Sequence, residues 1–219
     1  MIPKQIQSGI YLEQKKNRSN YYTKNLIPNQ QVYDEKLVGE YRQWSIKKSK
    51  FAAALAKGVS NIKLNKGDVV LYLGASTGTT VSHISDIVEK SGMIFAVELS
   101  FRMAQKLIFL AETRPNIAPI LADANHPESY HNLICEADFV FQDIAQKNQV
   151  EIFLKNLQFL KPGKQAMLCI KAKSIDITKQ PKQIYSTIRD QLQKKVKIIT
   201  EKRLDPLELD HCVFLVQKH

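Results

Sequence analysis

Five apolar segments of strand length alternate with helix-like segments through most of the chain. The apolar segments are DVVLYLGA (68–75), MIFAVELS (93–100), IAPILADA (117–124), ADFVFQDIA (137–145) and QAMLCIKAK (165–173). Segments with helical spacing lie between them, such as FRMAQKLIFLAET (101–113) and VSHISDIV (81–88), the latter interpreted as plain core packing. Parallel strands need a crossover connection, and helices on both faces bury them. The alternation therefore predicts an α/β fold with a mostly parallel sheet.

Both ends of the chain depart from this alternation. Residues 196–218 hold two apolar runs with a polar loop and no helix between them, which predicts a terminal antiparallel hairpin. Residues 1–45 contain short Tyr-, Asn- and Lys-rich segments, which predict a few antiparallel strands with too little apolar mass for a separate core. SKFAAALAKGV (49–59) predicts a helix with Ser49 as its N-cap and Gly58 as its end.

The charge of the chain points to a polyanionic partner. The formal net charge is +11, and the first 57 residues contain eleven Lys or Arg but four Asp or Glu. Seven of the eleven net positive charges thus lie in about a quarter of the chain, which favours RNA or DNA as a partner. No apolar run is long enough to span a membrane, and the N-terminus lacks the pattern of a secretory signal. We therefore expect no membrane partner.

Polar residues follow the apolar runs at the places where ligands of α/β sheets bind. The residues at the five strand ends are Gly74, Glu98, Asp123, Asp143 and Lys171. The carboxyl ends of parallel strands meet at one edge of the sheet, where ligands bind. The last strand should run antiparallel to the others, which brings its first residue, His211, to the same edge. The convergence predicts a functional site there.

The sequence of the loop after the first of these strands narrows the choice of ligand. It has Gly74 and Gly78 but no G-x-G-x-x-G, which counts against a nicotinamide cofactor. Glu98 suits ribose hydroxyls and Asp123 suits an adenine amino group. Backbone donors at a helix start over Thr79 and Thr80 suit a carboxylate. S-adenosylmethionine combines adenine, ribose and an amino-acid carboxylate, and is the ligand that fits.

The chain resembles the fibrillarin family in its short archaeal-type form. The similarity runs in order through TKNLIPNQQVYDEKLV (23–38), LYLGASTGTTVSHISDIV (71–88), IFAVELSFR (94–102), ILADANHP (120–127), IKAKSID (170–176) and LDHCVFLV (209–216). The resemblance implies a Rossmann-like S-adenosylmethionine-dependent methyltransferase sheet over 56–219 and a small, basic, β-rich N-terminal domain over 1–55. It further implies methylation of the ribose 2′-hydroxyl of rRNA, and of tRNA as a second class, within a box C/D guide ribonucleoprotein.

The resemblance also implies particular site residues. By motif, the family's catalytic tetrad falls on Lys50, Asp143, Lys171 and His211. The implied cofactor contacts are Gly74, Thr79, Thr80, Glu98, Leu99, Asp123, Ala124, Asp143, Ile144, Ala145 and Gln146. No metal site is expected. Where the family more often has Asn/Asp-Pro after the tryptophan, this chain has Ser45 and Ile46, so the turn before Lys50 differs.

The chemistry suggests a role for each catalytic group. A sugar hydroxyl is a poor nucleophile near neutral pH, so a base that removes its proton helps. We assign that role to Lys171, which burial and the nearby Lys50 would help to keep uncharged. Asp143 would orient Lys171 and touch the cofactor, and His211 would complete the hydrogen-bond network or position the ribose. In the alternative, alignment dominates and no base is required.

Other functions remain open from the residues alone. The chain could act mainly as an assembly component, or as a nucleotide-dependent oxidoreductase, although the missing dinucleotide motif counts against the latter. The expected partners are box C/D guide and target RNA, a Nop-domain scaffold protein and, indirectly, a kink-turn-binding ribosomal-type protein. The expected location is cytoplasmic for an archaeal-type chain and nucleolar for a eukaryotic one.

Overall fold

A seven-stranded mixed sheet organises most of the chain in a computed structural model that describes residues 3–15 and 18–219. Its strands are β6 (Val69–Leu73), β7 (Met93–Glu98), β8 (Ile117–Leu121), β9 (Ala137–Asp143), β10 (Leu160–Lys171), β11 (Lys197–Arg203) and β12 (His211–Gln217). The spatial order is β11-β12-β10-β9-β6-β7-β8. The five strands β6 to β10 pair in parallel, whereas β12 runs antiparallel to both β10 and β11. The predicted parallel sheet and terminal hairpin are confirmed.

A second, antiparallel sheet is built from the N-terminal segment. Its strands are β1 (Lys4–Gln7), β2 (Ile10–Lys15), β3 (Arg18–Lys24), β4 (Leu37–Val38) and β5 (Tyr41–Trp44), in the order β1-β2-β3-β5-β4. The predicted short antiparallel strands are confirmed. Lys16, one of the basic residues of this segment, lies outside the described residues.

In the part of the chain that the structure describes, six α-helices complete the fold. They are α1 (Lys50–Ala56), α2 (Thr79–Val88), α3 (Phe101–Thr113), α4 (Gln149–Asn156), α5 (Ala172–Ile175) and α6 (Pro181–Gln193). Alternate side chains of β6 face two different cores. Tyr72 belongs to the core that includes buried residues of α1 and α2, whereas Leu71 and Leu73 belong to the core that includes buried residues of α4 and α6. No helix within the described ranges is long and apolar enough to cross a bilayer.

Three boundaries differ from the sequence prediction. The strand β10 begins at Leu160 rather than Gln165, with an irregular pairing between these residues. The segment KPGK (161–164), whose Pro and Gly predict a loop, therefore belongs to the strand. The strand β10 ends at Lys171, and residues 172 and 173, which were predicted to continue it, belong to the short helix α5. The segment PESYHNLI (127–134), for which the sequence predicts a short helical stretch, instead contains two 3-10 turns, Pro127–Ser129 and His131–Leu133.

Helix α1 joins the two sheets. Ser49 caps it by accepting a hydrogen bond from the Ala52 amide, and the chain leaves it through Gly58 in a left-handed conformation. The ring of Phe51 stacks on Trp44 of β5 at a centroid distance of 5.1 Å and contacts Phe141 of β9 at 5.5 Å. One apolar core therefore runs through both sheets. The division of the chain after residue 55 falls inside α1 and stays a prediction.

A buried ion network fastens the N-terminal sheet to α2. The carboxylate of Asp86 in α2 accepts hydrogen bonds from Arg42 of β5 at 2.9 Å and from Arg114, at the end of α3, at 2.7 Å. It also accepts hydrogen bonds from the Thr23 hydroxyl at 2.7 Å and the Leu26 amide at 2.9 Å. The three charged side chains are fully buried. The interpretation of VSHISDIV as plain core packing was wrong for its polar residues.

The imidazole of His83 lies beside this network and is uncharged. Its Nδ1 lies 2.7 Å from the Thr23 hydroxyl, whose hydrogen is donated to Asp86, so Nδ1 carries the imidazole hydrogen. Nε2 then accepts a hydrogen bond from Tyr33 at 2.5 Å. Burial, reinforced by Arg42 and Arg114, holds the pKa of His83 well below its ordinary value. The neutral ring of His83, in α2, stacks on the ring of Trp44, in β5, and so packs the strand against the helix.

We predict that Asp86→Asn strongly destabilises the protein. The substitution removes the carboxylate that two buried guanidinium groups share, and breaking such a pair costs about 3–5 kcal/mol. Denaturant unfolding measures the loss. Glu201→Gln is the matched control, because it removes the same charge from a partly exposed pair with Arg189, and should cost no more than about 1 kcal/mol. Equal losses in the two variants would contradict the prediction.

Candidate active site

A cavity of about 530 Å³ opens at the carboxyl edge of β6 to β9. Nine of the eleven residues predicted to contact a cofactor line it: Gly74, Glu98, Leu99, Asp123, Ala124, Asp143, Ile144, Ala145 and Gln146. From β6 the chain continues to β7 and β8 on one side of the sheet, and from β9 it continues to β10 on the other side. Ligands of open α/β sheets bind at such a switch point, here between β6 and β9. The topology therefore brings together residues that lie up to 72 positions apart in the sequence.

Gly74 allows the first strand to approach the loop after β9. Its φ is +80°, and a Cβ on this residue would lie 2.4 Å from the Asp143 carbonyl oxygen. Any larger residue would therefore both strain the backbone and push the loop at Asp143 outward. The amides of Gly74 and Ala75 both donate to the Val97 carbonyl, at 2.9 and 3.0 Å, which fixes the turn against β7.

Two carboxylates face the cavity from β7 and the loop after β8. Backbone amides hold Glu98 in place, since Ser76 donates to Oε2 at 2.7 Å and Ser100 donates to Oε1 at 2.8 Å. The Asn125 amide likewise donates to Oδ1 of Asp123 at 2.9 Å. Each carboxylate oxygen can accept a second hydrogen bond. Both groups are thus oriented by the protein and keep acceptor capacity for a ligand.

Thr79 and Thr80 do not line this cavity. Thr79 opens α2 but borders a separate cavity of about 380 Å³. Thr80 is buried, and its hydroxyl donates to the Ser49 hydroxyl at 2.9 Å. The side chain of Thr80 thus connects the start of α2 to the N-cap of α1, next to Lys50. The assignment of both threonines to the cofactor stays a prediction that rests on their backbone amides at the helix start.

Lys50 and Asp143 form an ion pair at the rim of the cavity. The Lys50 Nζ lies 2.9 Å from Asp143 Oδ2, and about a quarter of each side chain is exposed. Burial disfavours the charged ammonium, but the carboxylate outweighs it and holds the pKa of Lys50 above its ordinary value. Lys50 therefore keeps its proton near neutral pH. The pair ties α1 to the end of β9.

Lys171 and His211 lie at the same edge of the sheet, as predicted, and the structure shows that they pair with each other on adjacent antiparallel strands. The Lys171 side chain is exposed, so the burial expected for it is not found. Within residues 3–15 and 18–219 its ammonium has no ion-pair or hydrogen-bond partner. The expectation that Asp143 orients Lys171 is wrong in this structure, because the Asp143 carboxylate binds Lys50 instead.

His211 is buried and has a defined tautomer. Its Nδ1 lies 2.7 Å from the Leu209 carbonyl oxygen, so Nδ1 donates and Nε2 keeps its lone pair. Burial lowers the pKa of His211 below its ordinary value, and the positive charge of Lys50 lowers it further. The hydrogen bond to the Leu209 carbonyl raises this pKa but does not outweigh burial. The imidazole is therefore neutral near pH 7 and can accept a hydrogen bond through Nε2.

The departure from the family pattern before Lys50 preserves a turn. The Ser45 hydroxyl accepts a hydrogen bond from the Lys47 amide at 3.3 Å, and the Ser45 carbonyl accepts one from the Lys48 amide at 3.2 Å. A serine can form this turn in place of Asn or Asp. The structure therefore explains how Lys50 reaches the site without the family's Asn/Asp-Pro pair.

Sequence reasoning missed several residues of the site. Ser76, Val97, Ser100 and Ala122 also line the cavity. The two serines act through their backbone amides on Glu98, and any residue type supplies an amide, so the sequence carried no signal for them. Val97 and Ala122 adjoin predicted strand ends, and only the observed strand order shows that they face the cavity.

The seven-stranded sheet and its edge cavity define the Rossmann-like class of S-adenosylmethionine-dependent methyltransferase folds. Within that class the chain belongs to the fibrillarin family, whose model, described as Fibrillarin, matches residues 1–219. The "Fibrillarin-like rRNA/tRNA 2'-O-methyltransferase" of Thermococcus onnurineus is 42% identical over 201 residues, which cover 90% of this chain and 89% of that protein.

Two solved structures support the same assignment. The fibrillarin of Aeropyrum pernix, solved "in complex with natively bound S-adenosyl-L-methionine", superposes with a TM-score of 0.86 at 38% identity, covering 95% of this chain and 94% of that one. A fibrillarin from a fibrillarin/Nop5p complex superposes with a TM-score of 0.91 at 36% identity, covering 99% of this chain and 100% of that one.

We predict that Gly74→Ala weakens cofactor binding while the protein still folds. The new methyl group would meet the Asp143 carbonyl at 2.4 Å and displace the loop that lines the cavity. Isothermal titration with S-adenosylmethionine measures the affinity, for which we expect a loss of at least about tenfold, or about 1.4 kcal/mol. Gly163→Ala is the control, since its φ of +73° imposes similar strain but its Cβ would meet nothing within 4 Å. Wild-type affinity in Gly74→Ala would refute the prediction.

Proposed function

We propose that this chain is an S-adenosylmethionine-dependent RNA methyltransferase that modifies the ribose 2′-hydroxyl of rRNA, and of tRNA as a second substrate class. The observation that carries the proposal is the position of two residue pairs at the carboxyl edge of the sheet: Lys50 is ion-paired with Asp143, which lines the cavity, and Lys171 pairs with His211 on adjacent strands. The Thermococcus onnurineus relative is named as an rRNA/tRNA 2′-O-methyltransferase, which supports the same reaction. The roles of the individual residues are part of the proposal.

The residues of the cavity fit the proposed cofactor. Glu98 and Asp123 offer oriented carboxylate oxygens for ribose hydroxyls and an adenine amino group. Gly74 leaves open the space that a larger residue would fill. The loop Asp143–Gln146 would close the opposite side. When bound, S-adenosylmethionine supplies an electrophilic methyl group on a sulfonium sulfur.

The groups at this edge of the sheet have three different proposed roles: a fixed cation, a hydrogen-bond acceptor and a base. Lys50 is fixed as an ammonium by Asp143, so its task is to hold the end of β9 and to offer a positive charge. The free Nε2 of His211 can accept a hydrogen bond from the ribose. Lys171, whose amine is exposed, is the proposed base that removes the 2′-hydroxyl proton. In the alternative, alignment of the hydroxyl supplies the rate and no base is needed.

The proposed partners follow from charge and family. A Nop-domain scaffold is supported by the solved fibrillarin/Nop5p complex. Box C/D guide RNA would select the target by base pairing, and the basic surface, including exposed Lys36, Lys47 and Lys48, would bind phosphates without reading sequence. A kink-turn-binding ribosomal-type protein would act indirectly. The location, cytoplasmic or nucleolar according to the source, also stays a prediction.

We predict guide-directed methylation of one ribose hydroxyl. The protein, guide RNA, Nop-domain scaffold and kink-turn-binding protein would be mixed with labelled S-adenosylmethionine and target RNA. A second target carries a 2′-deoxy nucleotide at the guided position. Label on the first target alone is the expected result. Label on both would show that this hydroxyl is not the acceptor. No label on either, with cofactor binding intact, would favour a role as an assembly component.

We predict that Lys171→Ala strongly slows this methyl transfer at every pH between 6 and 9, because the variant lacks the proposed base. Loss of a general base typically costs about 10²- to 10⁴-fold in rate. Single-turnover rates, with cofactor and RNA affinities measured separately, test this. Lys194→Ala removes another exposed lysine at the end of α6 and should behave as wild type. A loss of only severalfold in Lys171→Ala would instead support alignment without a base.

A further inference from the structure

Gln149 links the two halves of the proposed active site through its side chain. It is the first residue of α4 and is fully buried. Its Oε1 accepts a hydrogen bond from the Lys171 amide at 3.0 Å, and its Nε2 donates to the Gln146 carbonyl at 2.7 Å. A longer contact of 3.4 Å joins Nε2 to the Lys171 carbonyl. One carboxamide thus contacts the backbone of both the proposed base and the cofactor loop.

The carboxamide stands where the sheet ladder has ended. The parallel pairing of β9 with β10 stops at Asp143 and Cys169, two residues before Lys171. On its other side, Lys171 still pairs with His211 of β12. A side-chain amide has the same donor and acceptor groups as a peptide unit. Gln149 therefore supplies the hydrogen bonds that a continued β9 would have given to Lys171.

The same residue closes the loop that follows β9. The Gln142 side chain donates to the Gln149 carbonyl at 2.6 Å, while the Gln149 side chain donates to the Gln146 carbonyl. The loop is therefore held at both ends by one residue. Since the cavity is lined by Asp143 to Gln146, the position of the cofactor wall and the position of Lys171 depend on the same carboxamide.

We propose that Gln149 is a positioning residue that sets the distance and angle between the acceptor ribose at Lys171 and the methyl donor at the Asp143–Gln146 loop. This inference rests on the proposed function. In-line transfer depends on alignment of the reacting atoms, and a misplacement of about 1 Å can cost about 100-fold in rate. Gln149 touches neither substrate nor cofactor in this role, and acts through the two backbone segments.

The chain offers a matched control at the other end of the same strand. Gln165 is also buried in β10, and its side chain accepts a hydrogen bond from the Lys63 amide at 2.7 Å and donates to the Asn61 carbonyl at 3.2 Å. It ties backbone segments together as Gln149 does, but far from the carboxyl edge of the sheet. Gln149→Met and Gln165→Met therefore remove equivalent contacts, and only the first lies at the site.

The test uses the complete guided complex with kcat expressed per cofactor-binding site. For Gln149→Met we expect kcat to fall at least about tenfold, with the KM for target RNA within about threefold of wild type and faster hydrogen exchange at the Lys171 amide. Gln165→Met should lower thermal stability by a similar amount but keep the wild-type kcat and Lys171 exchange rate. A purely structural role would move stability alike in both variants and leave kcat per site unchanged.

A second variant covers the case in which Gln149→Met fails to fold. Gln149→Glu keeps an oxygen acceptor for the Lys171 amide but loses the donor to the Gln146 carbonyl. We expect protected Lys171 exchange with a lowered kcat. A wild-type kcat in the folded Gln149 variants, or an equal loss in Gln165→Met, would overturn the inference. An inactive wild-type complex would overturn the proposed function instead, so the two failures are distinguishable.

Discussion

The shared carboxylate of Asp86 determines how the two sheets meet. The Asp86 carboxylate is buried between Arg42 and Arg114, and the buried Glu35 carboxylate also binds Arg42, so these ion pairs fix the arrangement of β5, α2 and the end of α3. Because α2 begins at the loop after β6, fixing this helix also fixes one wall of the cavity. The N-terminal sheet is thus part of the active-site scaffold.

Helix α1 connects the Asp86 network to the proposed catalytic groups. With β5 fixed on α2, the stacked rings of Trp44 and Phe51 place α1 over β9. The Thr80 hydroxyl then holds the Ser49 cap, and Lys50, the next residue, extends to Asp143. A charge network buried away from the cavity therefore sets the position of a lysine at its rim.

Much of the fold and part of the candidate site could be predicted because they depend on short-range pattern and on topology. Apolar runs alternating with helices gave the parallel sheet, and parallel strands present their ends at one edge, which located Glu98, Asp123 and Asp143. No helix separates the last two apolar runs, which predicted an antiparallel last strand that begins at the same edge. His211 lies there, where it pairs with Lys171. Contacts between polar side chains distant in sequence could not be found in this way. The Lys50–Asp143 pair, the Asp86 network and the Gln149 bridge join residues 93, 44 and 22 positions apart, and no local periodicity reports them.

The environments of two lysines at one edge explain how a single residue type can serve opposite purposes. Lys50 is partly buried and paired, so its charge is stabilised and it acts as a fixed cation. Lys171 is exposed and has no partner within the described chain, and its position is set by its backbone rather than by its ammonium. Because the backbone holds this residue, its side chain remains available for the proposed role as a base. The same logic applies to His211, where a carbonyl fixes Nδ1 and leaves Nε2 available. At this edge of the sheet, Lys171 and His211 are thus held through backbone groups, whereas Lys50 and Asp143 hold each other through their charges.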